Sequence, residues 1–383
     1  MWLIFIRFFM LGLTSFGGPA AHIGYFRRTF VRELGWLDER QFGSLVALCQ
    51  FLPGPGSSQL GFAIGYGRAG LGGALLAFLG FTLPSFALMY LLAVTSANAL
   101  GLDWFEGVIH GLKLLAVVVV ADACLGMYRQ FCLRPLTRGI MLASALTLLL
   151  VGALWSQMLV LLLAALLGSR LLVGEVGEPA PPTKLRSHYL VIFGLLLLGA
   201  FWCLFSPLDP LAQLAAGFYQ AGALVFGGGH VVLPLLQQTV GAELSADRFL
   251  TGYAAAQAMP GPMFTLAAFL GADSWQQSPL MGALLATAAI FLPGFLLLLG
   301  LLPAWHSLSR KPAIAGAIAA VNAAVVGLLV AALYQPVFVS AVSGPRDMAL
   351  VLLGFACLQW FRLHIVLLVA GFALAGLGFE LLA

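Results

Sequence analysis

The chain has 383 residues, of which 62% are hydrophobic and only 8% charged. A soluble domain carries roughly 25% charged residues, so a soluble enzyme or binding module is excluded and a polytopic membrane protein is expected. The formal net charge is +4, and its placement along the chain is more informative than its size. The five cysteines (Cys49, Cys124, Cys132, Cys203 and Cys357) have no C-x-x-C spacing. They are read as small apolar helix residues, and no metal site, disulfide framework or cofactor is expected.

In chain order, the first apolar run begins at Trp2 and leads into Phe16-Gly-Gly-Pro-Ala-Ala-His22 with no cleavable signal sequence expected. Gly17, Gly18 and Pro19 interrupt a helical pattern. Glycine admits close backbone approach, and Pro19 suits the first turn of a new helix. Freed N–H groups at a helix N-terminus suit an anion, whereas a plain kink or a tight helix contact is the alternative. Arg27, Arg28 and Arg32 follow, then Trp36-Leu-Asp-Glu39, with Asp38 as candidate cap of the next helix.

The stretch Gln50-Phe-Leu-Pro-Gly-Pro55 is a second interruption. Pro53, Gly54 and Pro55 cannot continue a helix, and Ser57, Ser58 and Gln59 restart it. Serine hydroxyls there can cap the helix or donate to an oxyanion. Gln50 has two readings, as a ligand contact or as a partner for orphaned carbonyls. Apolar runs at 71–96, 104–127, 189–206, 279–302 and 313–335 approach the ~20 residues that cross a hydrocarbon core. Segments 1–28 and 41–68 are open between broken spans and re-entrant hairpins.

Within the 104–127 run stand His110 and, one turn later, Lys113. An intramembrane cation is costly and marks a functional candidate. Lys113 is either a cavity-facing cation for an anionic cargo or half of a buried pair with a carboxylate from another helix. The segment 174–188, with Pro179, Pro181 and Pro182, is a polar connector too short for a domain.

The second half repeats the first. Phe226-Gly-Gly-Gly-His230 and Gln257-Ala-Met-Pro-Gly-Pro262 follow their counterparts at offsets of 210 and 207. Gly73-Ala-Leu-Leu-Ala77 returns at 282, Leu83-Pro84 at 292 and Gly107 at 316. The repeat adds Gly227, Gly228, His230, Gln257, Pro260, Gly261 and Pro262 to the candidate substrate contacts, with His22 and His230 as candidate ligands or proton carriers. Matching Gly/Pro breaks in two hydrophobic halves mark a transporter, because broken backbone in a bilayer is tolerated only in a lined cavity or inside protein. The counterpart of Lys113 is Asn322.

Loop charges set the orientation. Twelve of the 18 basic residues fall in one set of loops and two in the other, if the two halves run in opposite directions. The extra helix at 189–206 supplies the odd crossing that inverts the second copy. The expected architecture is all-α, with two homologous halves in an inverted repeat built from broken helices or re-entrant hairpins. The first repeat covers 1–173 and a cytoplasmic linker 174–188. The extra helix and the second repeat cover 189–383.

Taken together, Phe16–Phe26, Trp36–Glu39, Cys49–Pro55 with Ser57-Ser58-Gln59, and Phe226-Gly-Gly-Gly-His-Val-Val-Leu-Pro234 resemble the chromate ion transporter family in its long, two-domain form. The resemblance implies a multi-pass protein of the prokaryotic inner (cytoplasmic) membrane that exports chromate and confers chromate resistance. Gly56 stands where members often have Ala or Thr. Some relatives are thought to handle sulfate, so the resemblance fixes oxyanion transport better than it fixes chromate.

The chemistry of the residues agrees, since N–H groups, serine hydroxyls and a cation suit either tetrahedral dianion. No G-x-x-x-x-G-K-[ST] motif occurs, so transport is expected to be secondary or passive, as uniport or with protons. The expected partners are the chromate or sulfate dianion, protons and the lipid bilayer, not nucleic acid; a homo-oligomer is left open. Sulfate import would need a cation site, and a membrane enzyme would need a redox centre or a nucleophile beside His and a carboxylate. The sequence shows none of these, and a scaffold would have no use for repeated breaks.

Overall fold

The computed structural model describes residues 1–16, 18–97, 103–151, 154–172, 185–203, 209–226, 232–240, 246–305, 311–361, 363 and 365–381. All regular structure among them is helical. The first half contains α1 (Trp2–Thr14), α2 (Gly18–Phe26), α3 (Glu39–Phe51), α4 (Gly56–Ala97), α5 (Asp103–Phe131), α6 (Pro135–Leu150) and α7 (Leu154–Leu171). Then come α8 (Ser187–Cys203), α9 (Pro210–Leu224), α10 (Val232–Thr239), α11 (Ala246–Ala258), α12 (Leu266–Ser274) and α13 (Pro279–Leu301). The chain ends with α14 (Pro312–Ala332), α15 (Pro345–Gln359) and α16 (Ile365–Leu381).

Local chemistry accounts for many of these boundaries. Proline opens α6, α9, α13, α14 and α15, where its missing N–H costs no hydrogen bond. Asp38 caps α3 as expected: its Oδ1 accepts from the Gln41 N–H at 2.7 Å, and Gln41 Oε1 accepts from the Asp38 N–H at 3.2 Å. A π-helical turn, Arg27–Glu33, extends α2. Arg27 reaches from it to Glu39 with a forked pair at 2.9–3.1 Å, which holds the Glu39 carboxyl below its usual range. Part of the basic cluster is thus tied to the first residue of α3.

Gly56–Ser96, Glu106–Phe131, Pro279–Ala304 and Pro312–Ala341 are long and apolar enough to cross a membrane. The first of them bends at Ala69 and Gly70, where φ is −152° and +61°. Leu71, Leu75, Leu79 and Leu83 follow the bend at four-residue spacing, and all are exposed, which is the face a lipid tail covers. This is an all-α, multi-pass membrane protein with repeated halves.

The chain folds as two compact units, each drawing on both halves of the sequence. Unit one comprises Met1–Asn98, Lys184–Val232 and Ala255–Pro303; unit two comprises Ala99–Thr183, Leu233–Ala254 and Ala304–Ala383.

In unit one, α1 lies on α4 as α9 lies on α13. Gly12 faces the Phe81 carbonyl in the first pair, and its counterpart Gly222 faces the Ile290 carbonyl in the second. Gly65 and Gly73 approach each other closely, and so do their counterparts Gly271 and Gly282. Small residues bring the backbones together because lipid tails supply no hydrophobic push between helices. Helix α8, the unpaired one, packs on α9 and α13. Phe62 stacks on Phe295 with centroids 4.2 Å apart, joining the halves.

Unit two exchanges elements. Helix α5 packs on α16, with Gly376 against the Gly107 carbonyl, while α14 packs on α7, with Gly168 against the Gly316 carbonyl. Gly107 and Gly316 are the repeat counterparts noted from the sequence. An exchange in which each half supplies the partner of the other is the signature of a two-fold relation.

Gly12→Val places its Cβ 2.7 Å from the Phe81 carbonyl oxygen. It will lower the thermal midpoint of detergent-purified protein by the equivalent of about 1–3 kcal/mol. Gly67→Ala meets nothing within 4 Å and will leave that midpoint unchanged or slightly raised.

Candidate functional site

The two proline–glycine tips in unit one are built alike. Helix α3 ends at Phe51, Leu52 turns extended, and α4 restarts at Gly56. Helix α11 ends at Ala258, Pro262 is extended, and a 3-10 turn, Met263–Thr265, leads into α12. Helices α3 and α11, which lead into the two tips, have 13 residues each and are ~20 Å long, short of the ~30 Å hydrocarbon core.

Each tip requires glycine. Gly54 has φ +114° and Gly261 has φ +93°, values that a side chain disfavours. Each tip also abuts the other half. The Gly54 N–H donates to the Val225 carbonyl at 2.7 Å, and the Gly261 N–H donates to the Ser15 carbonyl at 2.9 Å. Val225 and Ser15 are equivalent residues, each just ahead of its Phe-Gly-Gly motif. A Cβ on Gly54 would meet Gly294 Cα at 3.2 Å, and one on Gly261 would meet Ser85 Oγ at 2.9 Å. Ser85 and Gly294 are also equivalent, each following a Leu-Pro landmark. The tips are thus related by a two-fold exchange down to single hydrogen bonds.

His22 stands on α2, fully buried. Its Nδ1 is 3.1 Å from Ser57 Oγ, its Nε2 is 3.3 Å from the Ser15 carbonyl oxygen, and its ring meets Phe81 edge-on at 5.2 Å. The Ser15 carbonyl therefore serves both His22 and Gly261. Ser15, Ser58 and Thr82 are buried, and their hydroxyls have no hydrogen-bond partner among the described residues. Gly56, Ser57 and Ser58 begin α4, so their N–H groups lack carbonyls behind them in the helix.

Gln59 is fully buried in a different arrangement. Its side-chain amide donates to the Pro53 carbonyl at 2.9 Å and to the Gly294 carbonyl at 3.1 Å. Both of its N–H bonds are thereby used, and Gln59 ties the first tip to α13 with no donor left for an anion.

The other candidates are distributed as follows. Pro53, Pro55, Pro260 and Pro262 form the tips, Gln50 is exposed, and Gln257 is half-buried on α11. Gly18 opens α2 with φ +76°. Gly17, Gly227, Gly228 and His230 lie outside the described residues, as does the Pro19 side chain. Lys113 is half-buried on α5 in unit two. On the same helix, His110 Nε2 lies 2.9 Å from Asp347 Oδ1, and Gln359 donates to Asp122. Sequence reasoning missed Ser15, Thr82, Ser85 and Gly294. The last two were signalled by their place beside the repeated Leu-Pro.

The family model described as chromate transporter matches residues 2–169 and again 212–377. This chain belongs to the chromate transporter family. The double match starts 210 residues apart, the offset of the Phe-Gly-Gly motifs. A chromate transport protein of Cupriavidus metallidurans is 30% identical over 386 residues, covering 97% of this chain and 91% of that protein. A probable chromate transport protein of Synechococcus elongatus is 30% identical, covering 85% and 81%. A protein of Methanocaldococcus jannaschii named as an uncharacterized transporter is 28% identical, covering 86% and 82%. No solved structure matches the chain.

Gly54→Ala and Gly261→Ala will each destabilise the purified protein by about 1–3 kcal/mol, read as a lowered melting midpoint in detergent. Near-equal losses are expected because the two glycines occupy equivalent places.

Proposed function

We propose that this member of the chromate transporter family is a secondary, not ATP-driven, carrier that exports chromate from the cytoplasm across the inner membrane and so gives chromate resistance. The observation that carries the reading is the pair of helix-breaking tips, where the buried hydroxyls of Ser15, Ser58 and Thr82 have no hydrogen-bond partner among the described residues and α4 opens with N–H groups that have no carbonyl behind them in the helix. Such a group costs about 1–3 kcal/mol when it is left unsatisfied, and an oxyanion accepts from all of them. The names of the relatives from Cupriavidus and Synechococcus support chromate as the cargo. The membership supports transport over catalysis.

The anion meets the first-half tip through Ser57, Ser58 and the N–H groups that open α4, with Gly17, Gly18, Pro19 and His22 alongside. The second-half tip, Pro260-Gly-Pro262, shapes the opposite wall. Its Phe264 and Thr265 stand where the first half has Ser57 and Ser58, so most of the donors come from the first half. Lys113 attracts the anion as a cation in the membrane.

Export needs no ATP because the inside-negative potential drives a dianion outward by roughly 2.3 kcal/mol per charge per 100 mV. The halves run in opposite directions through the membrane, as the loop charges indicate. A general carrier of tetrahedral dianions is the second reading, since hydroxyls and N–H groups discriminate poorly between sulfate and chromate.

Uptake of labelled chromate into inside-out vesicles, with and without excess sulfate, tests both readings. Protein-dependent uptake that resists sulfate establishes a chromate exporter; uptake abolished by sulfate shows a general dianion carrier. Absence of any protein-dependent uptake of either ion removes the proposal. Lys113→Gln will cut uptake about ten-fold or more while leaving the amount of inserted protein unchanged, as expected for loss of a membrane cation that attracts the anion.

A further inference from the structure

The imidazole of His22 belongs to a hydrogen-bond chain that joins both halves of the sequence. The Gly261 N–H donates to the Ser15 carbonyl, that carbonyl faces His22 Nε2, and His22 Nδ1 faces Ser57 Oγ. A carbonyl oxygen only accepts, so the proton of the neutral ring sits on Nε2. Nδ1 is then an acceptor, and the Ser57 hydroxyl gives it its single proton. In this state Ser57 shows only lone pairs to anything beyond His22, and lone pairs repel an oxyanion.

Protonation of Nδ1 reverses the bond. Nδ1–H then donates to Ser57 Oγ, and the hydroxyl proton turns outward as a donor. No covalent bond at serine breaks; the proton taken up comes from solvent. Among the described residues, the groups that meet the His22 ring are Ser15 at the end of α1 and Ser57 and Phe81 on α4, none of them charged. A buried imidazolium needs a counter-charge, and a bound anion supplies one.

We propose that His22 is a proton-linked donor switch: an oxyanion binds at Ser57 together with one proton taken up by His22. The inference rests on the anion-transport reading above and adds a sign to it. Anion and proton bind together here, so His22 does not serve an exchange of one for the other. A dianion carried with one proton moves a single net negative charge.

Sulfate is the probe, because it stays a dianion near neutral pH and cannot itself supply the proton uptake. Calorimetric titration of sulfate into the full-length purified protein, repeated in buffers of different ionisation enthalpy, will show about one proton taken up per anion. Binding will tighten about ten-fold for each unit fall in pH. His22→Gln keeps a donor and an acceptor but cannot ionise, and it will bind sulfate with no proton uptake and no pH dependence. Ser57→Ala will bind sulfate about ten-fold or more weakly.

Sulfate binding by the unaltered protein without proton uptake overturns the switch and leaves the anion reading standing. Proton uptake that persists in His22→Gln overturns it as well, since another group is then the carrier. Failure to bind either sulfate or chromate at any pH removes the anion reading and the switch with it. Should His22→Gln fail to fold, an absence of proton uptake by the unaltered protein still overturns the switch.

Discussion

A hydrocarbon core offers no water to a backbone N–H that has lost its helical partner, so every interruption of a buried helix must be repaired by protein. Gly54 and Gly261 are the points where this chain meets that demand. Each sits at a proline–glycine tip in a left-handed conformation, and each gives its N–H to a carbonyl from the opposite half, at Val225 or Ser15. Each half repairs the break of the other. Loss of either would leave a polar group in lipid or in dry protein, at a cost comparable with a large share of a domain's net stability.

That exchange organises the packing around it. Gly12 and Gly222 let α1 and α9 approach α4 and α13, and Ser85 and Gly294 line the places where the tips rest. In unit two the same logic appears as swapped helices, α5 on α16 and α14 on α7. A two-fold relation does not make the sites chemically equal. Ser57, Ser58 and Gln59 in the first half correspond to Phe264, Thr265 and Leu266 in the second. The backbone is shared, and the polar chemistry is concentrated on one side.

The polar groups at the first tip divide into those that hold the structure and those with capacity to spare. Gln59 uses both N–H bonds on Pro53 and Gly294, so its part is to fasten the tip to α13. Its type and position suggest an anion contact, and only the acceptors around it reveal otherwise. Ser57 is committed to His22, whereas Ser15, Ser58 and Thr82 keep uncommitted hydroxyls. A site for a hydrated dianion needs such donors, because the ion sheds water only where protein replaces it.

Composition alone sufficed for a polytopic helical membrane protein, since 8% charge cannot clothe a soluble surface of this size. The repeat, the two tips, the Asp38 cap and the unpaired helix before the second half were legible because Gly, Pro and capping residues act locally. The family resemblance rested on those same motifs. The partners across the fold were not legible. That Gly261 answers Ser15, that His22 joins Ser15 to Ser57, and that Gln59 faces two carbonyls depends on segments separated by as many as 246 positions, from Ser15 to Gly261. Hydrogen-bond capacity is written in each residue type, but whether it is spent or spare is a property of neighbours, and only tertiary packing assigns neighbours.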